Sequence, residues 1–420
     1  MYKTKQLTFD PSGHTLHHQA VFSADGRYVV FDGRNDETHI GRTGSIGLLD
    51  LSNGQTKVIY NTEHQTVHGP GVGAVSFHPH RNQVIFIHGL LDANADKPYD
   101  ITRRTGMIMP INSSSIPHFA DNRDIQFPYA PGSLRGGTHS HAWSPKGEMI
   151  SFTYNDEFVE PNLRMVGVMF PVDYNFNIEP GSGNVLGNHY SVIVSKVVAN
   201  PKPGSDEISK AFDECWVPIP DSEQKEGPYG RIAFQGNTVD STGQLITEIF
   251  VVDIDKNKIL TDTNAVGIIG ERPRPPKGIE QRRLSRSQRG LSDLRHWLRA
   301  SHDGRYIYAL SKDDKNRNQL IQCEVSSGEL KYLSDFNFSI QSPINLDPES
   351  NWITFSANNQ VYIYHIIKKE CIQLSNHSLD ELQVIGVPSF SPDGKSLVYN
   401  QLVKQDSGIF IQIKQINLEK

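Results

Sequence analysis

The sequence predicts an all-β fold, a seven-bladed β-propeller built as one domain of 420 residues. Three observations predict it. A short turn motif recurs along the whole chain, strand-like runs follow each copy, and the clearest late copies have the spacing of propeller blades. The turns at positions 304, 350 and 394 are 46 and 44 residues apart, and four antiparallel strands every ~40 to 45 residues are typical of a propeller blade.

The recurring unit is an aromatic or apolar residue, then Ser-Pro-Asp-Gly or a variant of it, then a strand-like run. Pro, Asp and Gly supply the backbone angles that a tight turn requires. The flanking runs alternate apolar and polar residues or are wholly apolar, as strands do, so each copy predicts a hairpin. The copies begin at Phe22, Phe77, Trp143, Ala300, Leu346 and Phe390.

Further strands follow several of these hairpins, as in residues 47–60, 320–333 and 361–374. The long interval between the turns at 147 and 304 predicts a degenerate fourth blade. Its strands are expected at His189–Val197, Arg231–Phe234, Ile246–Ile254 and Ile279–Leu284. The predicted blades span residues 16–62, 73–128, 134–180, 187–286, 293–335, 340–377 and 385–420, the last together with 1–9.

The two ends of the chain predict how the ring closes. Lys5–Phe9 resembles the outer strand that ends other blades, and Ile409–Ile413 is a strand near the C-terminus. We expect these segments to pair in the last blade, because closure removes the exposed edges of the sheets.

Composition limits the partners and the location. The chain has 41 basic and 47 acidic residues, a net charge of −6, which argues against nucleic acid as the main partner. It contains no run of about 18 apolar residues, so no membrane span is expected. The N-terminus does not resemble a signal peptide, and the three cysteines are widely spaced. We therefore expect a cytoplasmic protein with free thiols.

A His-x-His pair, His139 and His141, is the sharpest candidate site. The pair precedes the turn at Trp143, so it is expected on the innermost strand of the third blade, which lines the central channel. In a regular strand, residues i and i+2 point to the same face with backbones roughly 6–7 Å apart. Two imidazoles at that spacing can bind one metal ion, and imidazole suits zinc, iron and similar ions.

Histidines also stand at the early positions of other predicted blades, at His68, His189 and His296. A ring of blades would bring them near His139 and His141, and a site of three or four histidines leaves a coordination position open for substrate. Arg135 is our candidate catalytic residue, since a guanidinium fork binds a carboxylate. Arg295, Arg299 and Lys196 are further candidates for that contact. The competing interpretation is that these histidines are structural.

Several motifs together carry a resemblance over nearly the full length. They are Ile87-His-Gly89, Tyr99-Asp100, Arg103-Arg104, Pro131–Asp156, Pro203–Glu207, Gln281–Leu284, Arg295–Trp297 and Ile340–Ser342. With them the sequence resembles a YidR-like family of bacterial propellers, and its turn units resemble the TolB-type and WD40-like repeats. The resemblance implies the propeller fold and no particular activity, since fold does not decide function.

The segment Thr138-His-Ser-His-Ala-Trp-Ser-Pro145 resembles the metal-binding blade of oligogalacturonate lyases. Those enzymes are seven-bladed propellers that use a divalent metal, typically manganese, to cleave pectin fragments by β-elimination. The resemblance implies His139 and His141 as metal ligands and an acidic oligosaccharide as substrate. A glutamine ligand of that family corresponds to Gly136 here, so this chain departs from the family's ligand set.

Two classes of function therefore remain open. The first is an enzyme or binding protein for a small molecule such as an anionic sugar, with its site at a mouth of the channel and a metal-dependent lyase reaction as its sharpest form. The second is a non-catalytic, TolB-like module that docks other proteins. No Gly-x-Ser-x-Gly motif or phosphate-binding Gly-Lys-Ser/Thr loop is present, so serine hydrolases and nucleotide-driven proteins have little support.

Overall fold

A computed structural model describes residues 2–112, 116–220, 230–378 and 380–419. It confirms the predicted seven-bladed propeller. The only described α-helix is α1 (Lys256–Thr261), with short 3-10 turns at Ile40–Arg42 and Thr263–Val266. None of the described helices has the length and apolar character needed to cross a membrane.

The strands follow one another along the whole chain. In order they are β1 (Thr4–Gln6), β2 (Tyr28–Asp32), β3 (Ser45–Asp50), β4 (Gln55–Asn61), β5 (Val72–Phe77), β6 (Gln83–Gly89), β7 (Arg104–Pro110), β8 (His118–Phe119), β9 (Asn122–Arg123), β10 (Ser133–Leu134), β11 (Gly137–Trp143), β12 (Ile150–Asn155), β13 (Met165–Pro171), β14 (His189–Ile193), β15 (Lys210–Val217), β16 (Gly230–Val239), β17 (Leu245–Ile254), β18 (Gln281–Arg283), β19 (Arg299–Ala300), β20 (Tyr306–Lys312), β21 (Asn318–Glu324), β22 (Leu330–Tyr332), β23 (Asn345–Leu346), β24 (Trp352–Ala357), β25 (Gln360–His365), β26 (Glu370–Gln373), β27 (Val384–Phe390), β28 (Ser396–Gln405) and β29 (Gly408–Asn417).

These strands make seven antiparallel sheets, one for each blade. The first blade is β2–β4, with Thr15 and Phe22 bridged to β2 on its inner side. The second to sixth blades are β5–β8, β11–β14, β15–β18, β19–β22 and β23–β26, and the seventh is β27–β29 with β1. Strands β9 and β10 form a separate parallel pair between the second and third blades.

The turn motif builds the hairpins through one recurring hydrogen bond. In three blades the serine hydroxyl donates to the aspartate carboxylate two residues later, at 2.6 Å each time. That carboxylate also accepts the backbone N–H two residues further on. The pairs are Ser23 with Asp25, Ser301 with Asp303, and Ser391 with Asp393. A polar side chain thus satisfies the backbone of each turn, as Asx turns do.

The ring closes as the sequence predicts. Strand β1 pairs antiparallel with β29, with Thr4 opposite Ile416 and Gln6 opposite Lys414. The backbone N–H of Leu7 then donates to the carbonyl of Ile413 at 2.8 Å. The N-terminus therefore supplies the outer strand of the last blade, and the two ends of the chain are joined in one sheet.

The predicted composition of the fourth blade is wrong at its inner edge. His189 lies in β14, the outer strand of the third blade, rather than in the fourth. The inner strand of the fourth blade is β15, where Trp216-Val-Pro218 corresponds to Trp143-Ser-Pro145 of the third. The indole N–H of Trp216 donates to the carbonyl of Ala142 at 2.9 Å and joins the two blades.

Inner strands of three blades carry the same irregularity. In β5, β11 and β15 one extra residue is inserted relative to the neighbouring strand, between Gly73 and Ser76, His139 and Ala142, and Phe212 and Cys215. In each bulge the first inserted position has a positive φ. The values are +55° at Ala74, +56° at Ser140 and +50° at Asp213. Such β-bulges bend a strand and redirect its side chains.

Leu7 offers a test of ring closure. It is buried against Ile413 and Leu16 in the core of the closing blade. We expect Leu7→Ala to lower the free energy of unfolding by about 2–4 kcal/mol, because it opens a cavity in that core. Urea denaturation followed by tryptophan fluorescence measures the change. The exposed Lys5→Ala in the adjoining strand β1 is the control, and an equal loss in both variants would contradict the closing role of Leu7.

Candidate functional site

His139 and His141 lie on β11, the inner strand of the third blade, and both are buried. The bulge at Ser140 falls between them, so the regular alternation assumed from the sequence does not apply. Each ring nevertheless has an unsatisfied nitrogen. Nδ1 of His139 and Nδ1 of His141 have no hydrogen-bond partner in the described part of the chain.

The other three predicted histidines do not join this pair. His68 lies exposed in the loop between β4 and β5. His189 is in an outer strand, where its Nδ1 is 2.6 Å from the side-chain oxygen of Asn188. His296 is buried, but its Nδ1 bonds the carbonyl of Leu294 and its Nε2 accepts the N–H of Leu310. The structure therefore shows no convergence of these histidines with His139 and His141, since His68 is exposed and His189 and His296 are hydrogen-bonded elsewhere.

Arg135, the predicted catalytic residue, is occupied by structural partners. Its guanidinium pairs with Asp156 at 3.1 Å and donates to the carbonyls of Ile268 and Glu271. It also lies 4.5 Å from the ring centre of Tyr129. These contacts fix the third blade to the loop of the fourth and leave Arg135 little capacity for a substrate.

A different set of side chains meets at the propeller axis. Arg295 of the fifth blade interacts electrostatically with His17 of the first, His139 of the third and Asp213 of the fourth. Because these blades are not all neighbours, their side chains can meet only around the axis. We call this set the axial cluster, and its members are His17, His18, Arg104, His139, His141, Arg164, Asp213, Arg295, Trp297 and Arg299.

An aromatic stack forms one wall of the axial cluster. The ring of His18 is parallel to that of Trp297, with centroids 3.7 Å apart and planes 5° apart. The ring of His17 is 4.0 Å from that of His18, and the guanidinium of Arg295 is 4.6 Å from the centre of the Trp297 ring. Cations stack on tryptophan through its quadrupole, so this wall holds Arg295 in place without neutralising it.

The histidines of the axial cluster are neutral. Burial lowers the pKa of His17, His18 and His139 well below the usual value, and nearby charged groups lower it further. Burial lowers the pKa of His141 to about 3, and Arg104 contributes. A neutral imidazole has one N–H donor and one acceptor nitrogen. These rings therefore offer hydrogen bonds rather than charge.

The arginines of the axial cluster lack carboxylate partners. Arg104 donates to the hydroxyl of Tyr99 at 2.9 Å, and Arg164 to the side-chain oxygen of Asn155 at 3.2 Å. Arg299 donates to the side-chain oxygen of Asn345 and to the carbonyl of His18. Within the described ranges, none of these three or Arg295 has a carboxylate oxygen within 4.0 Å. Asp213 is the one carboxylate of the axial cluster, so its four guanidinium groups leave an excess of positive charge at the axis.

Two acidic residues stand beside these arginines at the bulge of β15. Burial raises the pKa of Asp213, and Arg295 and Arg164 oppose that shift. Burial raises the pKa of Glu214 to about 8, and the charge of Asp213 contributes to the rise. Glu214 is therefore mostly protonated at neutral pH and does not compensate the guanidinium groups.

The resemblance to oligogalacturonate lyases implies a divalent metal, and the donor geometry does not fit one. Nowhere in the described chain do three or more His, Cys, Asp or Glu side chains converge on a common point as metal ligands would. Nε2 of His141 is already 3.0 Å from the hydroxyl of Thr138. We therefore derive no chemistry through a metal.

Sequence reasoning missed His17, His18, Arg104, Arg164 and Asp213. The two histidines stand shortly before the first turn unit, the same early position in a blade that predicts the other candidate histidines, so the sequence contains that signal. Trp216-Val-Pro218 could have revealed the inner strand that carries Asp213. Arg104 and Arg164 follow loops, and no local pattern predicts that those loops point to the axis.

The raised pKa of Glu214 predicts an unusual pH dependence of stability. The folded protein keeps this proton up to about pH 8, whereas the unfolded chain releases it near the ordinary value of 4.5. Between these values the unfolded state binds fewer protons, so this group makes stability fall as pH rises. The Glu214→Gln variant lacks this contribution. We expect its free energy of unfolding to fall less between pH 5 and pH 8 than that of the unchanged protein, by ~2–4 kcal/mol.

Denaturation in urea at a series of pH values measures this difference. The matched control is Glu370→Gln, which changes an exposed carboxyl on the outer strand of the sixth blade. We expect the control to follow the unchanged protein at every pH. Parallel pH profiles for Glu214→Gln and the unchanged protein would show that Glu214 is ionised in the fold.

Comparisons with known proteins agree with this architecture. Residues 71–177 match a family described as "Protein of unknown function (DUF3748)". Three solved structures are similar to this chain. An "Oligogalacturonate lyase in complex with manganese" has a TM-score of 0.61 at 11% identity, covering 100% of this chain and 94% of that one. A puromycin hydrolase has 0.54 at 10% identity, covering 96% and 52%. TolB from Acinetobacter baumannii has 0.43 at 15% identity, covering 94% and 82%.

At these identities the lyase and the hydrolase show the fold alone. The sequence comparison is more specific. Over 410 residues the chain is 33% identical to the uncharacterized protein YidR of Escherichia coli strain K12, and the match covers 94% of both chains. This confirms the resemblance drawn from the motifs of the sequence, and the chain belongs to the same family as YidR.

Proposed function

We propose that this protein binds a small carboxylate-bearing molecule, of the acidic-sugar class, on the axis of the propeller. One observation carries the proposal. Four arginines from the second, third and fifth blades surround the axis with no carboxylate oxygen within 4.0 Å in the described chain, namely Arg104, Arg164, Arg295 and Arg299. A buried charge is costly unless it is paired. An anionic ligand supplies that pairing.

The arginine side chain favours a carboxylate ligand on geometric grounds. A guanidinium presents a rigid fork of donors that matches the two oxygens of a carboxylate. Burial lowers the pKa of Arg164 to about 10 and that of Arg299 to about 10, which still leaves both charged at neutral pH. Arg295 is exposed while the others are at least partly buried, so it is the arginine that an entering ligand reaches first.

The acidic-sugar class is supported by two further facts. The neutral histidines offer hydrogen-bond acceptors and donors beside the arginines, as a ligand with both carboxylate and hydroxyl groups requires. The oligogalacturonate lyase that shares the fold is named for a polymer of such sugars. A lyase reaction on acidic oligosaccharides is the enzymatic form of the proposal, and a non-catalytic protein-interaction module is its alternative.

Binding to uronic acid oligomers tests the proposal. We expect titration calorimetry to show that a trigalacturonate binds. The neutral galactose trimer should bind at least about tenfold more weakly, a difference in binding free energy of about 1.4 kcal/mol. The Arg295→Gln substitution is expected to lower the affinity for the acidic trimer by a similar factor. Added salt should lower that affinity further.

The control is Arg282→Gln, which changes an exposed arginine on the outer strand of the fourth blade. It should bind as tightly as the unchanged protein. Equal affinity for the acidic and neutral trimers, or equal losses in the two arginine variants, would contradict the axial site. Absence of binding to both sugars would favour the protein-interaction module.

A further inference from the structure

His141 ends a chain of three hydrogen bonds that runs between the second and third blades. The backbone N–H of Gly106 donates to one carboxylate oxygen of Asp121 at 2.7 Å. The hydroxyl of Thr138 donates to the other oxygen at 3.0 Å. The same hydroxyl oxygen lies 3.0 Å from Nε2 of His141. All three side chains are buried.

The direction of these bonds determines where the proton of His141 resides. A threonine hydroxyl has a single proton, and here it is given to Asp121. The hydroxyl oxygen can then only accept from His141, so Nε2 must carry the N–H. In a neutral imidazole the other nitrogen, Nδ1, then bears the lone pair.

Packing holds the ring in this position. A Cβ atom placed on Gly106 would lie 3.0 Å from Nε2 of His141 and 3.2 Å from its Cδ2. The bare backbone of Gly106 thus lets the imidazole lie against β7. The ring is 1% exposed, and its Nδ1 has no partner in the described chain. A buried acceptor without a partner is unfavourable, and a hydroxyl group of a ligand would satisfy it.

We propose that Asp121 and Thr138 are positioning residues that hold His141 with its proton on Nε2, so that Nδ1 accepts a hydrogen bond from a hydroxyl group of the ligand. This deepens the proposed function and rests on it for the ligand. The arginines require a carboxylate, and His141 requires a hydroxyl donor. The ligand is therefore a hydroxy acid, and a simple carboxylic acid would satisfy only half of the site.

The tautomer can be measured without any ligand. Long-range proton–nitrogen correlation spectra of protein labelled with ¹⁵N-histidine distinguish a protonated from an unprotonated ring nitrogen, and His141→Gln assigns the signals. We expect His141 to be neutral with its proton on Nε2. Thr138→Val keeps the shape of the side chain and removes the hydroxyl, so the proton should redistribute between the nitrogens. Thr138→Ser keeps the hydroxyl and should restore the original spectrum.

Three results would overturn the positioning role. They are a proton on Nδ1 in the unchanged protein, a doubly protonated ring, and an unaltered tautomer in Thr138→Val. The spectrum of the unchanged protein decides the first two even if the valine variant does not fold.

The hydroxyl preference is tested by comparing galacturonate with cyclohexane carboxylate, which has the carboxylate and no hydroxyls. We expect the unchanged protein to bind galacturonate more tightly than cyclohexane carboxylate. In Thr138→Val the ratio of the two affinities should fall about fivefold, which corresponds to the loss of one hydrogen bond of about 1 kcal/mol. Arg295→Gln should weaken both ligands alike. Failure of both to bind overturns the proposed function while the spectra still report the tautomer. Binding with an unchanged preference in Thr138→Val overturns the inference alone.

Discussion

Closure of the ring by β1 and β29 is the constraint on which the rest of the structure depends. The pairing of Thr4–Gln6 with the last strand makes the seventh blade a full sheet and fixes the first blade beside it. His17 and His18 lie in the segment between β1 and β2 and belong to that first blade. Only a closed ring sets them against Trp297 and Arg299, more than 270 residues later in the sequence. The axial cluster is a product of closure.

Within the closed ring, the charge of the axial arginines and the neutrality of the axial histidines depend on each other. The guanidinium groups of Arg104, Arg295 and Arg299 help to keep the histidines neutral, because a second positive charge in a buried site is strongly disfavoured. The histidines in turn leave the arginines unpaired, since a neutral ring cannot compensate a cation. An axis built this way attracts anions by charge and discriminates among them by hydrogen bonds. This division of labour is what the proposed function uses.

The sequence predicts the blades because the information for a hairpin is local. Ser-x-Asp-Gly turns place their own hydrogen bonds, as the contact between Ser301 and Asp303 shows. The inner strand of the fourth blade was missed because its turn is not of that type, although Trp216 marks it. The grouping of His68, His189 and His296 failed for a different reason. Early position in a blade does not specify which way a side chain faces, and His296 is satisfied by backbone groups on both nitrogens.

The bulges in β5, β11 and β15 give these inner strands a tolerance to changes in length. Each bulge holds one residue more than the strand beside it needs, so the length of an inner strand can change by one residue without breaking the ladder at either end. Removing that residue would leave the flanking pairs and their faces unchanged, and would alter only the side chains of the bulge itself. Deletions and insertions, rather than substitutions alone, are thus a route by which relatives of this protein can acquire different channel linings on an unaltered ring.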